Sequence, residues 1–189
     1  MLTTKPIHSR QSGHSFIELV IVTALAAILL SQAMPSFAGL YASTQVSTQT
    51  NAILQSLYLA RSHAVAQQRN VHICHLNRTT MNTCDQDRGF NSAWSVGWLV
   101  FADNNRNKNL DDKDQILQIV EMSNSVNIVF NQRGRLRFFA NGSSRSAGFY
   151  ICDRSQRSFR HIYLLHTGRA RLNQKLSSRQ KSICSNIKR

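Results

Sequence analysis

An apolar run over residues 16–30, broken only by Glu18 and Thr23, constrains this chain more than any other feature. With the milder flank through Phe37 the segment spans about 22 residues, and at about 1.5 Å rise per residue a helix of that length just crosses a bilayer. Lys5 and Arg10 precede it, which predicts a cytoplasmic leading side. The order departs from an ordinary secretory signal. There the small-residue cleavage site follows the apolar run, whereas here Gly13 comes before it. Glu18 is the anomaly, since an unpaired carboxylate at bilayer depth costs about 3 kcal/mol. It reads either as a charge tolerated near the helix end or as the partner of a cationic group, such as the free amine of a neighbouring subunit.

The helical pattern does not stop with the apolar run. Ala52, Ile53, Leu57, Ala60, Ala64 and Val65 recur at spacings of three and four, after a polar collar of Ser, Thr and Gln over residues 43–50. Residues 14–68 therefore read as one long helix, kinked at Pro35, where the ring removes a donor and clashes with the preceding turn. Beyond Gln68 the pattern changes to short β-type runs. They cover residues 71–76, 94–101, 116–121, 126–130, 135–139, 148–152, 161–165 and 169–172. Turn pairs at Gly134, Gly142 and Gly168 separate several of them. The predicted fold is α+β: a long, partly transmembrane N-terminal helix packed on an antiparallel β-sheet domain. Its parts are a leader (1–13), a membrane or core helix (14–40) and a globular domain (41–189).

Charge is distributed unevenly. Of a formal net charge of +14, residues 133–189 supply +13, from 14 Lys and Arg against the single acid Asp153. A basic segment of this kind points to an acidic polymer or surface as partner. The four cysteines, Cys74, Cys84, Cys152 and Cys184, lack CxxC spacing, which disfavours zinc. In an exported protein they suggest two disulfides, and of three possible pairings Cys74–Cys84 and Cys152–Cys184 are favoured.

Asp103, Asn105, Asn107 and Asp114 fall at the first, third, fifth and twelfth positions of a calcium-type loop. Lys108 occupies the sharp-turn glycine position, and Asp114 replaces the bidentate Glu, so the segment reads as a polar hairpin loop. His72 and His75 point to opposite faces of a strand. No nucleophile–base arrangement or nucleotide loop is visible, so neither a cofactor nor an enzymatic activity is expected.

The run Gly13-His-Ser-Phe-Ile-Glu-Leu-Val-Ile-Val, with Pro35 in Ala-Met-Pro-Ser-Phe, resembles the processing motif of type IV prepilins. The resemblance implies cleavage after Gly13 by a prepilin peptidase, His14 as the new and methylated N-terminus, and Glu18 as the fifth mature residue, pairing with a neighbour's amine. Pro35 is then the helix-kinking proline. His14 stands where the family usually has Phe. The segments Ala60-Arg-Ser-His-Ala64, Trp94-Ser-Val-Gly-Trp98 and Gly168-Arg-Ala-Arg171 are similar to the FimT/GspH class of minor pilins and pseudopilins.

Membership of that class implies an inner-membrane protein with a periplasmic domain that joins other major and minor pilins in a surface fibre. In its DNA-uptake members a Gly-Arg-x-Arg motif near the C-terminus is implicated in DNA binding. Gly168, Arg169 and Arg171 match it, and Lys175, Arg179 and Lys181 follow on what reads as a mobile polar tail. Gly134-Arg-Leu-Arg137 fits the same short pattern and reads as a second patch or as plain strand chemistry. Phe149, Tyr150, Phe159 and Tyr163 could stack on bases, but they read better as sheet core. Two functions follow as expectations. One is a minor pilin that grips DNA phosphates without reading sequence during natural transformation. The alternative is a structural minor pilin or type II secretion pseudopilin that primes assembly and binds no nucleic acid.

Overall fold

The computed structural model describes residues 15–85, 89–94, 96–122, 125–173 and 176–185, with the side chains of 32–36 and 185 excluded. The leader, Gly13, His14 and Lys175 lie outside the described residues. The chain divides into two compact units, Met1–Ala38 and Gly39–Arg189.

Helix α1 runs from Phe16 to Gln67. The carbonyl of Ser15 accepts its first bonds, from the N–H groups of Glu18 and Leu19. Within the first unit α1 exposes apolar side chains on every face, including Phe16, Ile17, Leu19, Ile21, Leu25, Ile28 and Leu29. The hydroxyls of Thr23 and Ser31 fold back onto carbonyls of the preceding turn, at 3.0 Å to Leu19 and 2.7 Å to Ile28. Among the described residues no helix is long and apolar enough to cross a membrane. The expected span over 14–40 counts the flank through Phe37, and part of that flank is excluded. The helix continues through Pro35, whose missing N–H leaves the Ser31 carbonyl without its i+4 donor.

The second unit holds two antiparallel sheets where the sequence reading expected one. The first has the order β4-β3-β1-β6, from β1 (Asn70–His75), β3 (Gly97–Asp103), β4 (Gln115–Glu121) and β6 (Leu136–Phe138). The second has the order β2-β5-β7-β8-β9, from β2 (Ser92–Ala93), β5 (Val126–Phe130), β7 (Ala147–Asp153), β8 (Phe159–Leu164) and β9 (Ala170–Asn173).

One core joins them to the C-terminal half of α1. Val46, Ile53, Leu57, Ala60 and Ala64 pack with Val71, Ile73, Val100, Leu136 and Phe138 of the first sheet. Ile128, Phe130, Phe149, Ile151, Ile162 and Leu164 close it from the second. Trp94 meets Phe130 and Phe149 at centroid distances of 5.1 and 5.2 Å. Trp98 Nε1 donates to Ser56 Oγ at 2.8 Å, and Ser56 Oγ donates to Gln118 Oε1 at 2.7 Å, so the buried indole and hydroxyl are both satisfied.

Both disulfides form in the favoured pairing, Cys74–Cys84 and Cys152–Cys184. The second ties β7 to a short helix, α2 (Ser178–Ser185), so the part of the expected mobile tail that lies within the described residues is a docked element. Its turn is capped at the N-terminus, where the Ser177 hydroxyl accepts the Gln180 N–H at 3.4 Å and Gln180 Oε1 accepts the Ser177 N–H at 2.9 Å.

Candidate nucleic-acid interface

The predicted motif Gly168-Arg-Ala-Arg171 lies on the hairpin between β8 and β9. The Leu165 N–H bonds to the Arg169 carbonyl, and the Gly168 N–H to the Leu165 carbonyl, both at 2.9 Å. Gly168 is buried at φ +73°, and a Cβ there would sit 2.0 Å from the Gly142 carbonyl oxygen. Gly142 is itself at φ +76° in the turn after β6, and Arg61 Nε of α1 donates to its carbonyl at 3.2 Å. The glycine expected to bind DNA therefore has a packing role. It lets two turns meet over the end of α1. Ala60 and Ala64, fully buried on the adjoining helix face, keep α1 close to the sheets.

Arg169 and Arg171 are exposed. β9 is the edge strand, and Arg171 lies opposite Tyr163 in register, so the two share a face. That outer face of β8 carries Phe159, His161 and Tyr163 in a row. Lys181 of α2 lies over the Phe159 ring at 5.5 Å. Phe159 and Tyr163 lie four strand steps apart, about 13 Å along β8, so Lys181 and Arg171 mark the two ends of that row. Lys181 also borders a cavity of about 370 Å³ with Arg157 and Arg160. Arg179 is exposed on α2.

The aromatics divide. Phe149 is fully buried, Tyr150 nearly so, and Phe159 packs under α2, while Tyr163 is 41% exposed beside Arg171. His161 lies between them, buried and stacked on Tyr150 at 4.4 Å, and burial pushes its pKa down. Neither of its ring nitrogens has a hydrogen-bond partner among the described residues.

The second Gly-Arg-x-Arg segment forms a site of its own. Arg137 pairs with His72 across β6 and β1. A cavity of about 390 Å³ opens over that pair, lined by His72, Arg135, Arg137, Phe139, Arg145 and the loop residues 107–109. That loop is the calcium-like segment. Its carboxylates accept from within the loop, Asp114 from the N–H groups of Asn104 and Asp111, and Asp111 from the side-chain amides of Asn105 and Asn107. Among the described residues no group of His, Cys, Asp and Glu is arranged to hold a metal.

A long helix sharing its core with small antiparallel sheets is the pilin-like arrangement, with the basic residues carried at the sheet margins. The family model for the type II transport protein GspH matches residues 49–168, and the chain belongs to that family, as a minor pilin or pseudopilin. The matched interval ends at Gly168, so Arg169, Arg171 and α2 lie beyond it. Among solved structures, the type IV minor pilin FimU of Pseudomonas aeruginosa is 20% identical, with 69% of this chain and 91% of that one covered and a TM-score of 0.43. The minor pseudopilin EpsH from the type 2 secretion system of Vibrio cholerae is 11% identical, with 69% and 97% covered and a TM-score of 0.48. No curated protein matches.

Proposed function

We propose that this chain is a minor pilin whose C-terminal margin binds DNA through its phosphates during DNA uptake. The observation that carries this reading is the surface built by β9 and α2. Exposed Arg169 lies in the turn leading into the edge strand β9 and Arg171 on that strand, with Tyr163 beside Arg171 and with Lys181 and Arg179 on a helix fastened to the same sheet. After Asp153 no acid occurs in the sequence to offset them. Phosphate contacts of this kind carry no sequence information, so binding is sequence-independent. Tyr163 offers a ring on which a base of a single strand can stack. Lys175, outside the described residues, belongs to the same basic stretch of sequence.

The all-round apolar first half of α1 fits burial by lipid before assembly and by neighbouring helices in a filament. Glu18 then pairs with a neighbour's N-terminal amine at His14, after a prepilin peptidase has cut behind Gly13. In this reading the domain is periplasmic, anchored at the inner membrane, and later displayed on a fibre with other pilins.

The family's description as a transport component favours a second reading, a secretion pseudopilin that primes assembly without nucleic acid. A gel shift of the full chain in detergent micelles, with single- and double-stranded DNA over a salt series, decides between them. Binding that weakens steeply with salt and drops in an Arg169→Gln/Arg171→Gln variant supports DNA binding. The absence of a shift at low salt sinks it.

A further inference from the structure

The cavity over β1 and β6 is separate from the β9 surface and has a different character. Its cationic groups come from three stretches of chain: Lys108 in the asparagine-rich loop, Arg135 and Arg137 around β6, and Arg145 after the Gly142 turn. Arg137 and Arg145 are held in place by contacts that do not neutralise them, and Arg135 is fixed against the loop. Arg145 Nη2 donates to the carbonyls of Arg133 and Arg135, at 2.6 and 2.7 Å. Arg137 lies over the Phe139 ring at 4.1 Å. Arg135 Nη2 donates to Asn109 Oδ1 at 3.2 Å.

No carboxylate lines the cavity among the described residues. Buried Asp103 is already engaged by His72 Nε2 at 3.3 Å and the Lys108 N–H at 3.1 Å, and Asp111 accepts from the side-chain amides of Asn105 and Asn107. Like charges are therefore packed around a concave space. Arg145 registers this, its pKa lowered by burial and then by the Arg137 charge. His72 forms part of the cavity floor. It is 2% exposed, and its Nδ1 has no hydrogen-bond partner among the described residues. With Nε2–H donating to Asp103, Nδ1 is left as an acceptor beside a cationic wall.

We propose that this cavity binds a phosphomonoester, carried either by a free nucleotide or by the 5′ end of a nucleic acid strand. Several converging cations exceed what the single charge of a phosphodiester would balance, and guanidinium groups suit the oxygens of a terminal phosphate. About 390 Å³ exceeds what a phosphate alone fills and lies within the range of small-molecule sites, and Phe139 supplies an aromatic wall. The site needs neither Arg169 nor Arg171, so it stands whether or not the β9 surface binds DNA.

The test is titration calorimetry of the full chain in detergent micelles with 5′-AMP, adenosine, 3′,5′-cyclic AMP and inorganic phosphate at constant ionic strength. Binding of 5′-AMP at least tenfold tighter than adenosine and the cyclic diester is expected. Arg137→Gln should weaken it tenfold or more and Lys108→Gln several-fold, while Arg169→Gln/Arg171→Gln leaves it unchanged. Competition by a 5′-phosphorylated oligonucleotide, but not by its 5′-hydroxyl counterpart, assigns the site to strand ends. Competition by neither assigns it to free nucleotides, and both results support the phosphomonoester. Should Arg137→Gln lose its native circular dichroism spectrum, Lys108→Gln, on an exposed loop, decides alone. Equal affinity for 5′-AMP and adenosine overturns the proposal, as does binding that survives the cavity variants and fails in the β9 variant.

Discussion

Gly168 shows how a short motif can be legible as letters while the packing behind it stays hidden. The sequence places it in a Gly-Arg-x-Arg pattern, but its neighbour Gly142 is 26 positions away, and no local pattern announces a 2.0 Å limit set by that residue's carbonyl. Gly168→Ala should destabilise the domain by about 2 kcal/mol or more, from the left-handed φ and the clash together. Urea unfolding measures it, and a loss below about 0.5 kcal/mol would contradict the packing role. His72 supplies a second expectation. Burial pushes its pKa down to about 4, with Arg135 and Arg137 adding to the effect and Asp103 opposing it. In the unfolded chain the imidazole takes up a proton as pH falls through 6.5, while the folded one stays neutral until about 4. The unfolded state therefore binds more protons in that window, and stability falls with falling pH by about 3 kcal/mol across it. His161, its pKa also lowered by burial, acts in the same direction. Unfolding free energies at pH 4.5 and 7 should differ less in His72→Gln than in the wild type.

The elements were legible to different degrees, for physical reasons. The long helix announces itself because burial of one face imposes a spacing of three and four, and the strand-forming runs because they are short and bounded by turn residues, although β1 and β5 are buried on both faces. Helix α2 does not announce itself. It has eight residues, and Ile183 and Cys184 are its apolar ones, so its position depends on the covalent link to β7 rather than on an amphipathic stripe. Nor does the sequence say that the strands divide into two sheets, since each half supplies one wall of the same core. The dependence of α2 on its disulfide is testable. Cys184→Ser should leave α1 and the sheets folded, cost about 2–4 kcal/mol, and make the segment after residue 173 exchange its amide hydrogens rapidly. Unchanged protection in α2 would show that Leu176 and Ile183 hold it without the bond.

At the scale of the molecule, the sequence divides its properties between its ends: an apolar N-terminal stretch with one acid, and a basic final third. That division was plain from composition. The clustering of Lys108, Arg137 and Arg145 around one cavity was not, because it depends on the fold bringing loop, strand and turn together. If neighbouring helices replace lipid around α1, Glu18→Ala should abolish incorporation into fibres, scored by immunoblot of sheared filaments. The thermal unfolding midpoint of the globular unit should stay within about 2 °C, because its main core is built from residues 46–164, far along the chain from Glu18. A shifted midpoint together with normal incorporation would contradict both halves of that expectation.

The Cys152–Cys184 bond also has a mechanical consequence. A tether caught at Arg171 pulls on β9, an edge strand whose bonds to β8 can break one after another, like a zipper. A tether caught at Lys181 pulls on α2, and the covalent bridge delivers that load to β7, held between β5 and β8 in the interior of the sheet. The same surface therefore offers a weak grip and a strong one a short distance apart, and under tension the oxidised disulfide determines which yields first.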